Sequence, residues 1–158
     1  MVSVPLELAG PMAGGKERLR LWIRLLRVVR VVEGELRERL KREFDSTLPR
    51  FDVLSALYRE REGMLMSDLS RFLLVSNGNV TGIVERLVGD GLVRRAAREG
   101  DRRAFVVRLT EAGVARFEAM AAAHEGWIAE LLGEVGEAEA KALSAMLKAF
   151  RSNWEGEH

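Results

Sequence analysis

Arginine gathers in one short stretch of this chain. Arg94, Arg98, Arg102 and Arg103 fall within a segment whose pattern is that of a β-hairpin. Leu92 to Ala97 reads as the outgoing strand, Arg98-Glu99-Gly100-Asp101 as the turn, and Ala104 to Leu109 as the return. Guanidinium groups at that density suit a phosphate backbone or a narrow electronegative groove. Thr110 follows as the cap of another helix, its hydroxyl placed to accept from the open first-turn amides. So small a hairpin cannot bury its own faces, so it must lean on neighbouring helices and leave its tip free.

Those helices can be read from apolar spacing. Lys16 to about Phe44 carries one stripe of Trp22, Leu26, Val29, Leu36, Leu40 and Phe44 and a second of Leu21, Leu25, Val28 and Val32, an apolar surface wide enough to predict a subunit interface. Arg20, Arg24 and Arg27 share the remaining face. Leu48-Pro49 is expected to break the chain before a helix from Arg50 to Glu60, with Phe51, Leu54 and Leu57/Tyr58 inward. Met64 to Met66 reads as extended, and Ser67 as the N-cap of a helix from Asp68 to Leu74. After a corner at Val75-Ser76, Ser76 caps a helix from about Asn77 to Asp90 with Val80, Ile83, Val84 and Leu87 inward, and Gly91 ends it in a left-handed conformation. Beyond the hairpin, Glu111 to about Leu132 places Val114, Phe117, Ala121, His124, Ile128 and Leu131 on one face. A last helix runs from Glu137 to about Trp154. The expected fold is mainly α with a small β-hairpin wing: a winged helix-turn-helix that dimerises through its N- and C-terminal helices.

Composition excludes several classes. With no cysteine there are no disulfides, zinc-thiolate sites or thiol redox chemistry. Two histidines leave little for a metal, there is no Gly-rich phosphate loop, and His124 has no acid-base partner at motif spacing, so neither an enzyme nor a bound cofactor is expected. No apolar run approaches membrane-spanning length, and residues 1–15 read as a disordered tail, not a signal peptide; a cytoplasmic protein follows. The net charge of +1 is unevenly spread. Residues 1–60 and 61–110 are each +3, and residues 111–158 are −5, which places the polyanion-facing part in the first two thirds. The expected organisation is residues 16–60 for helices contributing to dimerisation, 61–110 for the winged helix-turn-helix that meets the polyanion, and 111–158 for C-terminal dimerisation helices.

The segments VSNGNVTGIVERLVGDGLV from Val75 to Val93 and DRRAFVVRLT from Asp101 to Thr110 resemble the MarR family of bacterial transcriptional regulators, over roughly residues 18–154. Asp-x-Arg followed by Leu-Thr is specific to that family. The resemblance implies a homodimeric repressor bound to double-stranded DNA at an inverted-repeat operator and released by a small aromatic ligand. The helix from Asn77 would then enter the major groove. Asn77 and Asn79 suit adenine, Thr81 a thymine methyl, and Arg86 guanine or phosphate, while Ser76 caps the helix beside a phosphate. Gly78 and Gly82 depart from the larger polar residues common there; close approach to DNA and plain tolerance both account for them. Arg103 is placed in the minor groove, with Asp101 holding its guanidinium, and Arg94, Arg98 and Arg102 on phosphates.

For the effector, the resemblance implies a pocket where the dimerisation helices meet the DNA reader. Trp22, Leu26, Phe44, Phe51 and Leu54 would line it from one side, and His124 and Trp127 from the later helix. LPRFDVLSALYREREGMLMSDLS with RFLLVSNGNVTGIVERLV is similar to the repressors of hydroxycinnamate catabolism that answer to p-coumaroyl-CoA or feruloyl-CoA. Arg20, Arg24 and Arg27 offer cations to the phosphates of such a thioester, and a solvated arginine face carries the same pattern. The other readings are a family member answering to free phenolic acids or drugs, and a winged-helix module that binds protein.

Overall fold

The computed structural model describes residues 14–73 and 77–155. They form six helices and a three-stranded antiparallel sheet: α1 (Gly15–Phe44), α2 (Leu48–Arg59), β1 (Met64–Leu65), α3 (Met66–Phe72), α4 (Asn77–Gly89), β2 (Val93–Arg98), β3 (Asp101–Leu109), α5 (Glu111–Leu131) and α6 (Glu137–Glu155). The strand order is β1-β3-β2. The expected mainly helical fold with a hairpin wing is thus the observed one. The tail expected over residues 1–15 lies outside the described residues, except for Gly14, at the N-cap of α1, and Gly15, its first residue. The corner at Val75-Ser76 also lies outside them. No helix among the described residues is long and apolar enough to cross a membrane.

The chain divides into two compact units, residues 1–120 and 121–158. The core of the first is built around α2, which buries Phe51, Val53, Leu54, Ala56 and Leu57. A helix buried on so many sides must be central. Leu48-Pro49 does not break the chain there but begins the helix. Thr47 caps it, its hydroxyl accepting from the Arg50 N–H at 3.3 Å, and Pro49 in the first turn surrenders no bond the helix needs. Leu69, Val80, Val84, Leu87, Val93 and Val107 close the core from α3, α4 and the sheet. Rings tie α2 to the start of α5. The Phe117 centroid lies 5.6 Å from that of Phe51 and 4.7 Å from that of Tyr58. The Tyr58 hydroxyl donates to Glu118 Oε1 at 2.8 Å, a bond that raises the Tyr58 pKa above its ordinary value.

Other local expectations shift. α3 starts at Met66 with Leu65 before it and no side-chain cap, so Ser67 lies in its first turn and does not cap it. Phe72 remains 53% exposed. In the part of α5 up to Met120, the buried line is Gly113, Phe117 and Met120. Beyond it Trp127 is buried, whereas Ala121, His124 and Ile128 are half-buried, so the inward face is rotated from the one expected. Large apolar side chains are left uncovered at both ends of the chain. On α1 these include Leu21, Trp22, Val28, Val29 and Val31, and on α6 they are Leu143, Met146, Leu147 and Phe150.

Candidate nucleic-acid interface

α4 is anchored by one face. Val80, Val84 and Leu87 repeat at i, i+4, i+7 and are 0–1% exposed. At 3.6 residues per turn, the line opposite them is Gly78, Gly82, Glu85 and Gly89. Asn79 and Arg86 flank that line on one side and Thr81 on the other. Asn79, Gly82, Glu85 and Arg86 are exposed, and Thr81 is half-buried. A Cβ placed on Gly82 would meet nothing within 4 Å. Arg86 is engaged in the free protein, its Nε 3.5 Å from Asp90 Oδ1. Ser76 lies outside the described residues.

The exit from α4 is fixed by hydrogen bonds. Gly91 is left-handed at φ 74, and the N–H groups of Gly91 and Leu92 donate to the carbonyls of Val88 and Leu87, each at 3.0 Å. This is the reversed pairing expected of a helix that ends in glycine. Thr110 then bridges two helices. Its hydroxyl donates to the Gly91 carbonyl at 2.7 Å and accepts from the Gly113 N–H at 3.0 Å. Its own N–H donates to the Leu92 carbonyl at 3.0 Å. Gly113 lies so close to that strand entry that a Cβ on it would come within 1.9 Å of the Leu92 oxygen. Thr110 is the cap that its position before α5 predicts; its hold on the end of α4, and the need for glycine at 113, are visible only in three dimensions.

The hairpin turns in two residues, Glu99 and left-handed Gly100 at φ 86, so Arg98 pairs with Asp101. β3 therefore begins three residues before the expected Ala104. The ladder slips between Ala97/Phe105 and Arg98/Asp101, leaving Arg102 to Ala104 as a bulge that carries two of the expected cations. Bulges re-aim side chains at the edge of a sheet. Asp101 acts differently from expectation. Its carboxylate accepts from the Arg103 backbone N–H at 3.0 Å, and among the described residues no ion pair joins it to the Arg103 guanidinium. A short Asp side chain reaches the amide two residues on more readily than a guanidinium held out on a long stem. Arg103 is thereby left exposed with its backbone held.

Two further cations lie outside the set expected from sequence. Arg95 lies 5.8 Å from the centroid of the half-exposed Phe105 ring. Arg108 stands directly across the ladder from Arg94, a like-charge pair that disfavours the free hairpin. Strand alternation counted from Leu109 points to Arg108; counted from Val93 it puts Arg95 on the face of Val93 and its ladder partner Val107, so no local pattern marks Arg95.

Behind this surface, a half-open cavity of about 330 Å³ lies among the end of α1, the start of α2, the end of α4 and the start of α5. Arg50, Arg86 and Arg116 line it with Asp90, Phe44 and Met120. The Arg116 side chain donates to the Phe44 carbonyl and lies over its ring, 5.1 Å from the centroid. Of the expected effector residues, Phe44 and Leu54 line this cavity. Phe51 belongs to the core beside Phe117. Arg20, Trp22, Arg24, Leu26 and Arg27 lie on the other half of α1, about 26–36 Å along the helix from Phe44 for the three arginines. His124 and Trp127 belong to the second unit; partial burial lowers the His124 pKa from its ordinary value.

A family model described as the MarR family matches residues 44–104. The chain is 31% identical over 118 residues to the HTH-type transcriptional repressor IacR of Pseudomonas putida, covering 75% of this chain and 70% of that one. Its fold is similar to that of a MarR family transcriptional regulator from Silicibacter pomeroyi, with a TM-score of 0.75 and 34% identity over 88% of this chain and 96% of the other. It is similar also to a mutant MarR from E. coli complexed with operator DNA, with a TM-score of 0.74 and 27% identity over 85% of this chain and 95% of the other. The chain spans 52%, 58% and 63% of the length of three other curated regulators that it matches. The arginine-bearing wing, the helix anchored beside it and these likenesses over most of the chain lead to one conclusion: this protein belongs to the MarR family of winged-helix transcriptional regulators.

Proposed function

We propose that the protein is a homodimeric transcriptional repressor that binds an inverted-repeat DNA operator and is released by an aromatic effector. The observation that carries this reading is α4. It is fixed to the core by one apolar line and exposes the opposite one, next to a hairpin on which Arg94, Arg95, Arg98, Arg103 and Arg108 have no carboxylate partner among the described residues. α4 enters the major groove, Arg103 the minor groove, and Arg94, Arg95, Arg98, Arg102 and Arg108 serve phosphates. Similarity to a regulator solved on operator DNA supports the assignment. The uncovered apolar faces of α1 and α6 support dimerisation, because exposed apolar stripes of this extent mark interfaces. Two such helices about 34 Å apart require half-sites one turn apart.

The cavity favours a small anionic effector. Arg50, Arg86 and Arg116 outnumber Asp45 and Asp90 in its lining, and Arg116 lies over the Phe44 ring, which suits an aromatic carboxylate; about 330 Å³ is at the low end for ligand pockets. That volume admits a single-ring acid but not a whole CoA thioester. Arg86 links the cavity to the DNA: a carboxylate that draws it from Asp90 disturbs the end of the reading helix. An aryl-CoA thioester such as p-coumaroyl-CoA is the second reading, favoured by the exposed Arg24 and Arg27 on α1. In either case the regulated genes would serve aromatic-acid degradation.

Two measurements test this. The logarithm of duplex affinity should fall linearly with the logarithm of salt concentration; a salt-independent interaction, or none with DNA, points to a protein-binding module. Calorimetry with salicylate, p-coumarate and p-coumaroyl-CoA should show heat with a free acid, weakened in Arg116→Gln. Heat with the thioester alone refutes the cavity assignment.

A further inference from the structure

The exposed line of α4 is bare except at one position, and that position carries an acid. Glu85 is the single side chain beyond Cα on the line Gly78, Gly82, Glu85, Gly89, and with Arg86 it supplies all the charge on α4. It is exposed, and no hydrogen bond or ion pair engages its carboxylate among the described residues. Nothing lies within 4 Å of where a Cβ would stand on Gly82 or Gly89, so the helix is slim on either side of it. A carboxylate on the face turned toward DNA opposes the phosphates, and it lies at the centre of that face, not at its rim.

Hydrogen-bond chemistry gives such a carboxylate one good partner. It can only accept. In the major groove guanine presents the acceptors N7 and O6, thymine presents O4 and a methyl group, and adenine sets its amino donor beside the acceptor N7. Cytosine presents the N4 amino group without an adjacent acceptor of its own. The geometry points to Glu85 as a specificity residue that accepts from the N4 amino group of a cytosine at one position in each operator half-site. The flanking glycines let the helix backbone come close enough for a single side chain to reach the base edge. This inference rests on the assignment of α4 as the reading helix. It goes beyond that assignment by naming the base.

The test is competition binding of full-length protein to operator duplexes substituted one position at a time, for wild type, Glu85→Gln and Glu85→Ala. Wild type should favour cytosine at one symmetric position per half-site by about 5-fold to 150-fold, the range for one good base contact. Glu85→Gln should exchange that preference for adenine, whose N6 and N7 suit a carboxamide. Glu85→Ala should lose preference there and keep it elsewhere. An unchanged base preference with a uniform gain in affinity for both variants overturns the inference, because Glu85 would then act only by repelling phosphate. Wild type that binds no duplex in a sequence-dependent way overturns the DNA-reading assignment itself. Equal melting temperatures for the three proteins exclude misfolding as the cause.

Discussion

Replacing Thr110 by valine removes a hydroxyl while keeping shape and β-branching. Two hydrogen bonds are lost, to the Gly91 carbonyl at 2.7 Å and from the Gly113 N–H at 3.0 Å. Each contributes about 0.5–1.5 kcal/mol net, and the second is also the N-cap of α5, for which capping losses centre near 1 kcal/mol. Thr110 is half-buried, so water replaces part of what is lost, and the expected cost is about 1–2 kcal/mol. In a chain of this length that lowers the melting temperature by about 2–8 °C. Thr110→Ser retains the hydroxyl and should stay within about 0.5 kcal/mol of wild type. Thermal and urea unfolding of the three proteins, at one protein concentration because a dimer's stability depends on it, gives the comparison. Valine and serine variants that melt together would refute the reasoning, since the stabilisation would then not reside in the hydroxyl. Gly113→Ala checks the same junction by another route: its Cβ meets the Leu92 oxygen, so it should destabilise although alanine favours helix.

Other substitutions separate folding from recognition. Gly82→Ala meets open space and should stabilise α4 by about 1 kcal/mol while weakening operator binding; unchanged affinity in a filter-binding titration would mean that the glycine is merely tolerated. Arg103→Ala should cost about 1–3 kcal/mol of binding, more at an A·T-rich flank than at a G·C-rich one. An equal loss on both flanks would reduce it to a phosphate contact.

Local chemistry is legible in the sequence wherever one residue decides the geometry. Gly91 ends α4, Gly100 closes the turn and Thr110 caps α5, because positive φ and a capping hydroxyl are properties of single residues. The apolar line of α4 is equally plain, since Val80, Val84 and Leu87 share one periodicity. Where two rules compete, sequence alone misleads. Pro49 reads as a breaker until the Thr47 cap admits it to a first turn. Asp101 reads as the partner of a guanidinium, although its own backbone offers a nearer donor. The cavity is illegible for a different reason. Arg50, Arg86 and Arg116 belong to three helices and meet only through tertiary packing, so no local pattern announces them. The α1 arginines do form a pattern, but helix length puts them well away from Phe44.

Arg94 and Arg108 face each other across the hairpin, and ionic strength therefore acts in opposite directions on two states of this surface. In the free protein, added ions shield the two cations from each other and relax the ladder that holds them. On the duplex the same ions displace the protein, because phosphates have taken over the shielding. A rise in salt thus favours the unbound form twice, by loosening the complex and by easing what the protein returns to.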